Sequence, residues 1–325
     1  MLQFLFILPK LCYTACMEKN IVGRFAPSPS GYMHMGNLLS MLLAWLDCRV
    51  LGGEMVFRME DLDPARSKKV YIDALAQDLN WLGLDWDRGW PERGYAQSGR
   101  TAFYAEVFQT LADKELVYPC WCSRAERLAA ASAPHEGEAQ ADPGCRCAHL
   151  GKEERLEKLR ENPRCAWKLR APDRVITLID GHFGTYSRNP AREGGDCIVR
   201  RADGVYAYQL AVSADDLAMG VTRVVRGRDL LPSAPLQAFL IETLGGCAPK
   251  YCHAPLLTDG KGEGKLSKRI GSLSTELLRA QYTPQALCGH LAHLCGLIDR
   301  DEPVTPQELV PEFSWEKIKK EDIAI

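Results

Sequence analysis

The chain of 325 residues has no apolar stretch long enough to cross a bilayer, and its formal net charge is only −2. We therefore expect a soluble globular protein. Any RNA partner would be held by local basic patches rather than by the electrostatic field of the net charge. The sequence also lacks the GxxxxGK(S/T) pattern of P-loop enzymes, and no GxGxxG follows a predicted strand. Two widespread ways of binding a nucleotide are thus excluded.

The composition predicts substantial hydrophobic cores. With 46% hydrophobic and 25% charged residues, the chain is expected to form one large or two moderate domains. Most of the thirteen cysteines stand singly in apolar runs, which predicts reduced, buried thiols of a cytoplasmic protein at Cys48, Cys197, Cys288 and Cys295. Residues 1–16 are apolar but lack the basic start of a signal peptide. We predict that they are a disordered or misassigned extension and that Met17 is the natural start.

Two short loops carry most of the functional information. Residues 23–37 read Gly-Arg-Phe-Ala-Pro-Ser-Pro-Ser-Gly-Tyr-Met-His-Met-Gly-Asn, and residues 265–269 read Lys-Leu-Ser-Lys-Arg. An apolar pair before the first loop predicts a strand end, and apolar residues at helical spacing follow it. Such a turn directs free backbone N–H groups and the positive helix end at an anion, and Gly36 allows a phosphate to approach closely. His34 and Asn37 then stand where a nucleotide would lie.

Strands and helices alternate in the first part of the chain. A predicted strand at 55–59 runs into Glu60, and a predicted helix follows at 70–82, which gives the βαβα opening typical of a parallel sheet. Ligands gather at the carboxyl ends of such strands, where Arg24 and Glu60 stand. Further along we predict a helix at 99–117, strand-like alternation at 198–212, a buried strand at 221–225, and helices at 235–244 and 284–297.

The predicted fold class is α/β, with a Rossmann-like parallel-sheet nucleotide-binding domain, an inserted subdomain that could bind zinc, and a short helical C-terminal part. Residues 17–117 and 193–260 are assigned to the two halves of the catalytic domain, 118–192 to the insertion and 261–325 to the C-terminal part. The insertion holds two pairs of thiols that suit a structural Zn²⁺, namely Cys120, Cys122, Cys145 and Cys147. Reduced thiols without a metal are the alternative.

The two loops resemble the signatures of class I aminoacyl-tRNA synthetases: residues 34–37 resemble HIGH, and residues 265–269 resemble KMSKS. Within that class, residues 24–31 look like the glutamyl and glutaminyl branch. The resemblance implies activation of L-glutamate with ATP and Mg²⁺ through positioning and positive charge, without a nucleophile or general base. It implies catalytic roles for His34, Asn37, Lys265 and Lys268, and ATP contacts from His34, Gly36, Asn37 and Lys268. Asn37 departs from the final His of the pattern.

A glutamate substrate has two carboxylates and one ammonium group, so its site needs at least one guanidinium and one acid. The resemblance implies a glutamate site at Arg24, Phe25, Ala26, Pro27, Ser28, Glu60, Tyr208 and Arg226. Tyr208 and Arg226 are expected at sheet ends. In the family, zinc is held by a CxC pair, a tyrosine, and a cysteine four residues after that tyrosine. Ala141 stands at the tyrosine position here, so Cys147, Asp142 or His149 is left to supply the fourth ligand.

The stretch after Lys268 is too short for the helical anticodon-binding domain of ordinary glutamyl enzymes. The chain therefore resembles a shortened branch of this family, which activates glutamate without tRNA and attaches it to the queuosine base at the wobble position of tRNA(Asp). The alternatives are an enzyme that charges the tRNA 3′ end and a non-catalytic tRNA-binding paralogue. We expect a cytoplasmic monomer. Candidates for its RNA contacts are Arg124, Arg127, Arg164, Lys168 and Arg170, and a solvated helix face is the alternative explanation of these charges.

Overall fold

The structure, a computed structural model, describes residues 20–123, 145–258 and 274–325. Its strands are β1 Val22–Phe25, β2 Glu54–Phe57, β3 Arg88–Gly89, β4 Val117–Cys120, β5 Ala166–Leu169, β6 Ile176–Asp180, β7 Gly184–Arg188, β8 Cys197–Arg200, β9 Arg223–Gly227, β10 Lys250–Ala254, β11 Leu257–Thr258 and β12 Ile323–Ala324. Its helices are α1 Met35–Arg49, α2 Lys69–Leu82, α3 Thr101–Asp113, α4 Lys152–Glu161, α5 Pro190–Glu193, α6 Tyr208–Ala218, α7 Ala234–Thr243, α8 Thr275–Gln281, α9 Pro284–Leu294 and α10 Pro306–Leu309.

Two groups of parallel strands form the centre of the fold. β1 pairs with β2 and β2 with β3, while β9 pairs with β10, all in parallel. β9 lies beside β1, because the backbone N–H of Val22 donates to Thr222 Oγ1 at 2.9 Å and the N–H of Thr222 donates to the Val22 carbonyl at 3.0 Å. The two segments are about two hundred residues apart in sequence and adjacent in space. The predicted Rossmann-like α/β class is confirmed.

Helix α1 is the central element of the largest core. Its leucines at 38, 39, 42, 43 and 46 are completely buried, and they pack with residues of α2, α9 and β2. Full burial of each such side chain contributes about 1.5–3 kcal/mol. The amino end of α1, and with it the loop that precedes the helix, is therefore fixed by a large apolar contact.

The middle of the chain forms a separate antiparallel sheet in the order β4-β5-β8, together with the β6–β7 hairpin. Two sequence predictions are wrong here. The helix predicted at 99–117 ends at Asp113, because Glu115 has a φ of 57° and the chain enters β4 at Val117. The strand-like alternation predicted at 198–212 ends with β8, and α6 begins at Tyr208. The proposed domain boundaries stay a prediction.

The eleven cysteines in the described part of the chain are free thiols. Of the four singled out from the sequence, three are buried, and Cys197 is half-buried. None of the helices within residues 20–123, 145–258 and 274–325 combines the length and apolar character that a membrane crossing needs.

Candidate active site

The loop before α1 is held by its own helix start. The backbone N–H of His34 donates to Asn37 Oδ1 at 3.1 Å, so the Asn37 side chain caps the first turn. A Cβ on Gly36 would lie 3.2 Å from two atoms of the His34 imidazole, so the ring rests directly on this glycine. The local sequence therefore fixes the position of the imidazole at the amino end of α1.

Described residues on either side of the second loop lie beside the first loop. Leu257 lies 3.8 Å from the position that a Cβ on Gly36 would occupy. Ser274 forms an isolated antiparallel bridge with His34, and the backbone N–H of Thr275 donates to the Met33 carbonyl at 3.0 Å. Lys265 and Lys268 lie outside the described residues. The residues that flank them on both sides are nevertheless at the His34 turn.

A buried ionic cluster joins β1, β2 and α6. The fully buried guanidinium of Arg58 donates to Asp216 Oδ1 at 2.7 Å and to Glu60 Oε1 at 3.0 Å. Burial disfavours its charge, but the carboxylates of Asp216, Glu60 and Asp215 raise the pKa of Arg58 above its ordinary value. Burial also raises the pKa of Glu60, and Arg58 opposes that shift. Arg58 thus keeps the Glu60 carboxylate in place at the end of β2.

Arg24 joins the same cluster from β1. One terminal nitrogen donates to the Val225 carbonyl at 2.7 Å, and its Nε lies 3.8 Å from Asp216 Oδ1. The Nε atom is buried and has no hydrogen-bond partner in the described part of the chain. Burial lowers the pKa of Arg24, Asp216 opposes this shift, and the nearby Arg58 and Arg226 guanidinium groups add to it. Arg24 is therefore a cation with unsatisfied bonding capacity.

Asp215, the neighbour of Asp216 on α6, ties the cluster to α3. Its carboxylate accepts from Gln97 Nε2 at 2.9 Å, from Arg100 Nε at 2.7 Å and from the Tyr104 hydroxyl at 2.8 Å. The side chain is completely buried. Its bonds to three side chains satisfy the carboxylate and hold the carboxyl half of α6 against α3 and the turn that precedes α3.

Arg226 lies in β9, the strand beside β1, and β1 contains Arg24. Its guanidinium donates to His253 Nε2 at 3.1 Å, to Gln237 Oε1 at 2.7 Å and to the Leu230 carbonyl at 3.2 Å. The side chain is buried and lies 5.3 Å from the centre of the Tyr251 ring. Arg226 was expected at a sheet end, and it is the fourth residue of the five-residue strand β9.

Tyr208 is the first residue of α6 rather than part of a strand, and it is half-buried. Burial raises its pKa, as does Glu60, while Arg226 and Arg24 oppose the shift. Tyr208 is thus within the electrostatic influence of Glu60, Arg226 and Arg24.

The remaining residues of the expected glutamate site follow β1. Phe25 and Pro27 are buried, Ala26 is half-buried and Ser28 is exposed. The backbone N–H of Glu60 donates to the Pro27 carbonyl at 3.0 Å, so the segments after β1 and β2 are joined. Sequence reasoning did not find Arg58, Asp215, Asp216 or His253, because no local pattern marks a buried ionic network formed between distant segments.

The four thiols of the middle segment come together. The sulfur atoms of Cys120, Cys122, Cys145 and Cys147 all lie within 4.8 Å of one another, with the closest pairs at 3.2, 3.4 and 3.7 Å. Four sulfurs around a tetrahedral zinc, at about 2.3 Å from the ion, are about 3.8 Å apart, so the cluster matches the size of a zinc site. Burial raises the pKa of Cys120 and raises that of Cys122 to about 11. At Cys145 the opposing effect of burial is outweighed by the contacts with those two thiols, which lower its pKa.

Cys147 lies with the other three thiols, so it is a candidate for the fourth ligand. His149 is exposed, and Asp142 lies outside the described residues, as does Ala141.

The structure argues against one of the expected RNA contacts. Lys168 is buried in β5, so it cannot serve as a surface contact.

Of the other expected RNA contacts, Arg170 is half-buried and donates to the Ala148 carbonyl at 2.9 Å, and Arg164 is exposed. Arg124 and Arg127 lie outside the described residues.

The comparisons with known proteins agree with this geometry. The family model for the catalytic domain of class I tRNA synthetases (E and Q) matches residues 20–323. The chain belongs to this family, and it is a ligase of the class I aminoacyl-tRNA synthetase type. The resemblance expected from the two loops is thereby confirmed.

Two curated relatives are named Glutamyl-Q tRNA(Asp) synthetase. The relative from Symbiobacterium thermophilum is 44% identical over 312 residues, which covers 94% of this chain and 96% of that protein. The relative from Nitratidesulfovibrio vulgaris is 46% identical over 296 residues and covers 89% and 91%. A solved glutamate tRNA ligase from Elizabethkingia meningosepticum, in complex with its amino acid, superposes with a TM-score of 0.79 at 27% identity, covering 94% of this chain and 67% of that one.

Proposed function

We propose that the protein joins L-glutamate to the α-phosphate of ATP, without tRNA, and then transfers the glutamyl group to the queuosine base at the wobble position of tRNA(Asp). In the first step a carboxylate oxygen of glutamate bonds to the α-phosphorus, and the bond from that phosphorus to pyrophosphate breaks. In the second step a hydroxyl of the queuosine cyclopentene ring attacks the activated carbonyl, and AMP leaves.

The observation that carries this proposal is that Arg24, Glu60 and Arg226 lie near one another at β1, the strand that leads into the His34 turn. Buried groups of both signs are what a substrate with carboxylates and an ammonium group requires. We assign the ammonium group to the Glu60 carboxylate and the two carboxylates to the guanidinium groups. Phe25, Ala26, Pro27, Ser28 and Tyr208 complete the glutamate site.

ATP is assigned to the turn before α1. The backbone N–H groups at the start of α1, together with the His34 imidazole and the Asn37 amide, would contact the nucleotide, and Gly36 leaves room for a phosphate. Leu257 and Ser274, the described residues nearest to the Gly36 and His34 positions on either side of the second loop, lie at this turn. Lys265 and Lys268 are therefore proposed to neutralise the charge that grows on the leaving pyrophosphate. Mg²⁺ is expected to arrive with the triphosphate.

The choice of acceptor rests on the relatives. The matches cover 96% and 91% of the two curated relatives described above, and 67% of the glutamate tRNA ligase from Elizabethkingia meningosepticum. We therefore favour the modified base over the tRNA 3′ end. A cytoplasmic monomer remains the expected state.

Glutamate-dependent exchange of pyrophosphate into ATP tests the first step, and transfer of radiolabelled glutamate to tRNA with and without queuosine tests the second. We expect exchange in the absence of tRNA, and transfer that depends on the modified base. Exchange that requires tRNA, together with charging of tRNA(Glu), would assign the protein to 3′-end charging. Absence of both reactions would leave a non-catalytic tRNA-binding protein.

The four-cysteine cluster is proposed to hold a structural Zn²⁺, which would tie β4 to the segment that starts at Cys145. Elemental analysis of protein purified without chelator should give close to one zinc per chain. Cys147→Ser should weaken zinc binding by more than about tenfold, the loss seen when even an outer-shell partner is removed. Cys288→Ala, at a buried thiol in α9, should leave the zinc content unchanged.

A further inference from the structure

A buried histidine separates the Arg226 guanidinium from an acid. His253 in β10 is completely buried and stands opposite Arg226 in the parallel register of β9 and β10. Its Nδ1 lies 2.6 Å from Asp180 Oδ2, and its Nε2 lies 3.1 Å from Arg226 Nε. A carboxylate only accepts and the arginine Nε–H only donates, so Nδ1 carries the ring proton and Nε2 accepts. The two neighbours therefore specify a neutral ring in one tautomer.

Asp180 is itself held firmly. It is the last residue of β6, and its Oδ1 accepts from the backbone N–H groups of His182 at 3.0 Å, Phe183 at 2.9 Å and His253 at 3.3 Å. Burial acts to raise its pKa, but the bonds from the His253 ring and the Phe183 N–H hold the pKa below its ordinary value. Asp180 is thus a charged and immobile acceptor for the histidine.

The remaining contacts of Arg226 leave it incompletely satisfied. A guanidinium has five N–H groups, and three of them are used by His253, Gln237 and the Leu230 carbonyl. One N–H on each terminal nitrogen has no partner among the residues that the structure describes. No carboxylate oxygen in that part of the chain lies within ion-pair distance of this guanidinium, whereas Arg24 has Asp216 at 3.8 Å.

We propose that His253, with its tautomer set by Asp180, is a positioning residue that fixes Arg226 through Nε and keeps the Asp180 carboxylate one imidazole ring away. A carboxylate bonded directly to the guanidinium would compete with the substrate for the same fork of N–H groups. The interposed neutral ring supplies the acceptor without the competing charge. The inference rests on the proposed function, because it takes a carboxylate of glutamate as the group that the free N–H pair binds.

Kinetics of glutamate-dependent pyrophosphate exchange test the proposal. His253→Leu removes the acceptor and should raise the KM for glutamate about tenfold to a hundredfold, the range for a lost hydrogen bond to a charged group, while the KM for ATP stays unchanged. His253→Gln can still accept from Arg226 and donate to Asp180, so it should restore most of the affinity for glutamate. His290→Gln is a matched control, because the half-buried His290 of α9 also lies 2.7 Å from an aspartate, Asp301, but does not belong to the Arg226 site.

The outcomes separate this inference from the proposed function. A wild-type protein without glutamate-dependent exchange would overturn the function itself. Normal exchange with an unchanged glutamate KM in His253→Leu would overturn the role of His253 alone, as would an equal rise in the KM for ATP and for glutamate.

A second measurement reads the position of the ring proton directly in the wild-type protein. Nitrogen-15 NMR of histidine-labelled wild-type protein at neutral pH should show the His253 proton on Nδ1, with Asp180→Asn used to assign the signal. A proton on Nε2, or on both ring nitrogens, would contradict the proposed arrangement.

Discussion

Replacement of Arg58 by methionine is the sharpest test of the buried ionic cluster. Methionine keeps much of the apolar stem but removes the guanidinium, which bonds Asp216 at 2.7 Å and Glu60 at 3.0 Å. After the change, the only cation that the described structure places near Asp216 is Arg24, with its Nε at 3.8 Å. The substitution thus leaves buried carboxylates without their main partner.

The magnitude follows from burial. Removal of one partner from a buried ion pair costs about 3–5 kcal/mol, because the remaining charge stays desolvated. We expect the free energy of unfolding of Arg58→Met to fall by that amount at pH 7. An unpaired buried carboxyl has a folded pKa above its unfolded value, so it destabilises the fold at high pH and ceases to do so as the pH falls. The loss should therefore be smaller at pH 5 than at pH 8.

Urea unfolding, followed by tryptophan fluorescence, measures this loss. The matched control is Arg192→Met, which breaks a bond of similar length, 2.8 Å to Asp173, between two exposed side chains. Surface pairs contribute little, so the control should unfold almost like the wild type. An Arg58→Met protein as stable as Arg192→Met, or a loss that grows at low pH, would refute the account of the cluster.

Two further perturbations test the ATP turn and the buried histidine. Gly36→Ala places a methyl group 3.2 Å from the His34 ring and should raise the KM for ATP severalfold in pyrophosphate exchange, while Gly99→Ala, where the new Cβ meets no atom within 4 Å, should not. Burial lowers the pKa of His253, and Asp180 opposes this shift. The unfolded chain therefore binds a proton at this histidine more readily than the folded protein does. The stability that the neutral ring contributes is present above the ordinary histidine pKa of about 6.5 and is lost as the pH falls below about 6.5. Urea unfolding between pH 7 and pH 5.5 should show a steeper loss for the wild type than for His253→Gln, and equal slopes would contradict the assignment.

The fold was predictable from the sequence where local signals are strong. The apolar spacing after Gly36 predicted α1, and the turn, strand and helix before residue 83 lie within a few residues of their observed bounds. The predictions failed where tertiary contacts override the local pattern. The strand-like alternation predicted at 198–212 runs past the observed start of α6 at Tyr208. The adjacent acids of that helix, Asp215 and Asp216, are buried by bonds to Tyr104 of α3 and to Arg58, which follows β2, and no local pattern marks such distant partners.

The site was predictable only in part, for a related reason. Arg24, Glu60 and Arg226 follow recognisable loops and strands, whereas the groups that hold them carry no local mark. His253 is adjacent to Arg226 only because β9 and β10 pair in one register, and Asp180 reaches it only through the β6–β7 hairpin. Contacts of this kind depend on sheet register, which a single sequence does not specify.

The C-terminal segment connects β11, which precedes the second loop, to the helix that follows the first loop. β12 pairs in parallel with β11, so that Ile323 stands opposite Leu257. The carboxylate of Asp322 accepts from the Leu256 N–H at 3.0 Å. Upstream in the same segment, the Trp315 indole donates to Asp47 of α1 at 2.7 Å. The C-terminal segment is therefore bonded both to the helix that follows the ATP turn and to the strand that leads into the lysines. Because these contacts join Leu257 to α1 through one piece of chain, the position of β11 relative to the His34 turn depends on the C-terminal segment.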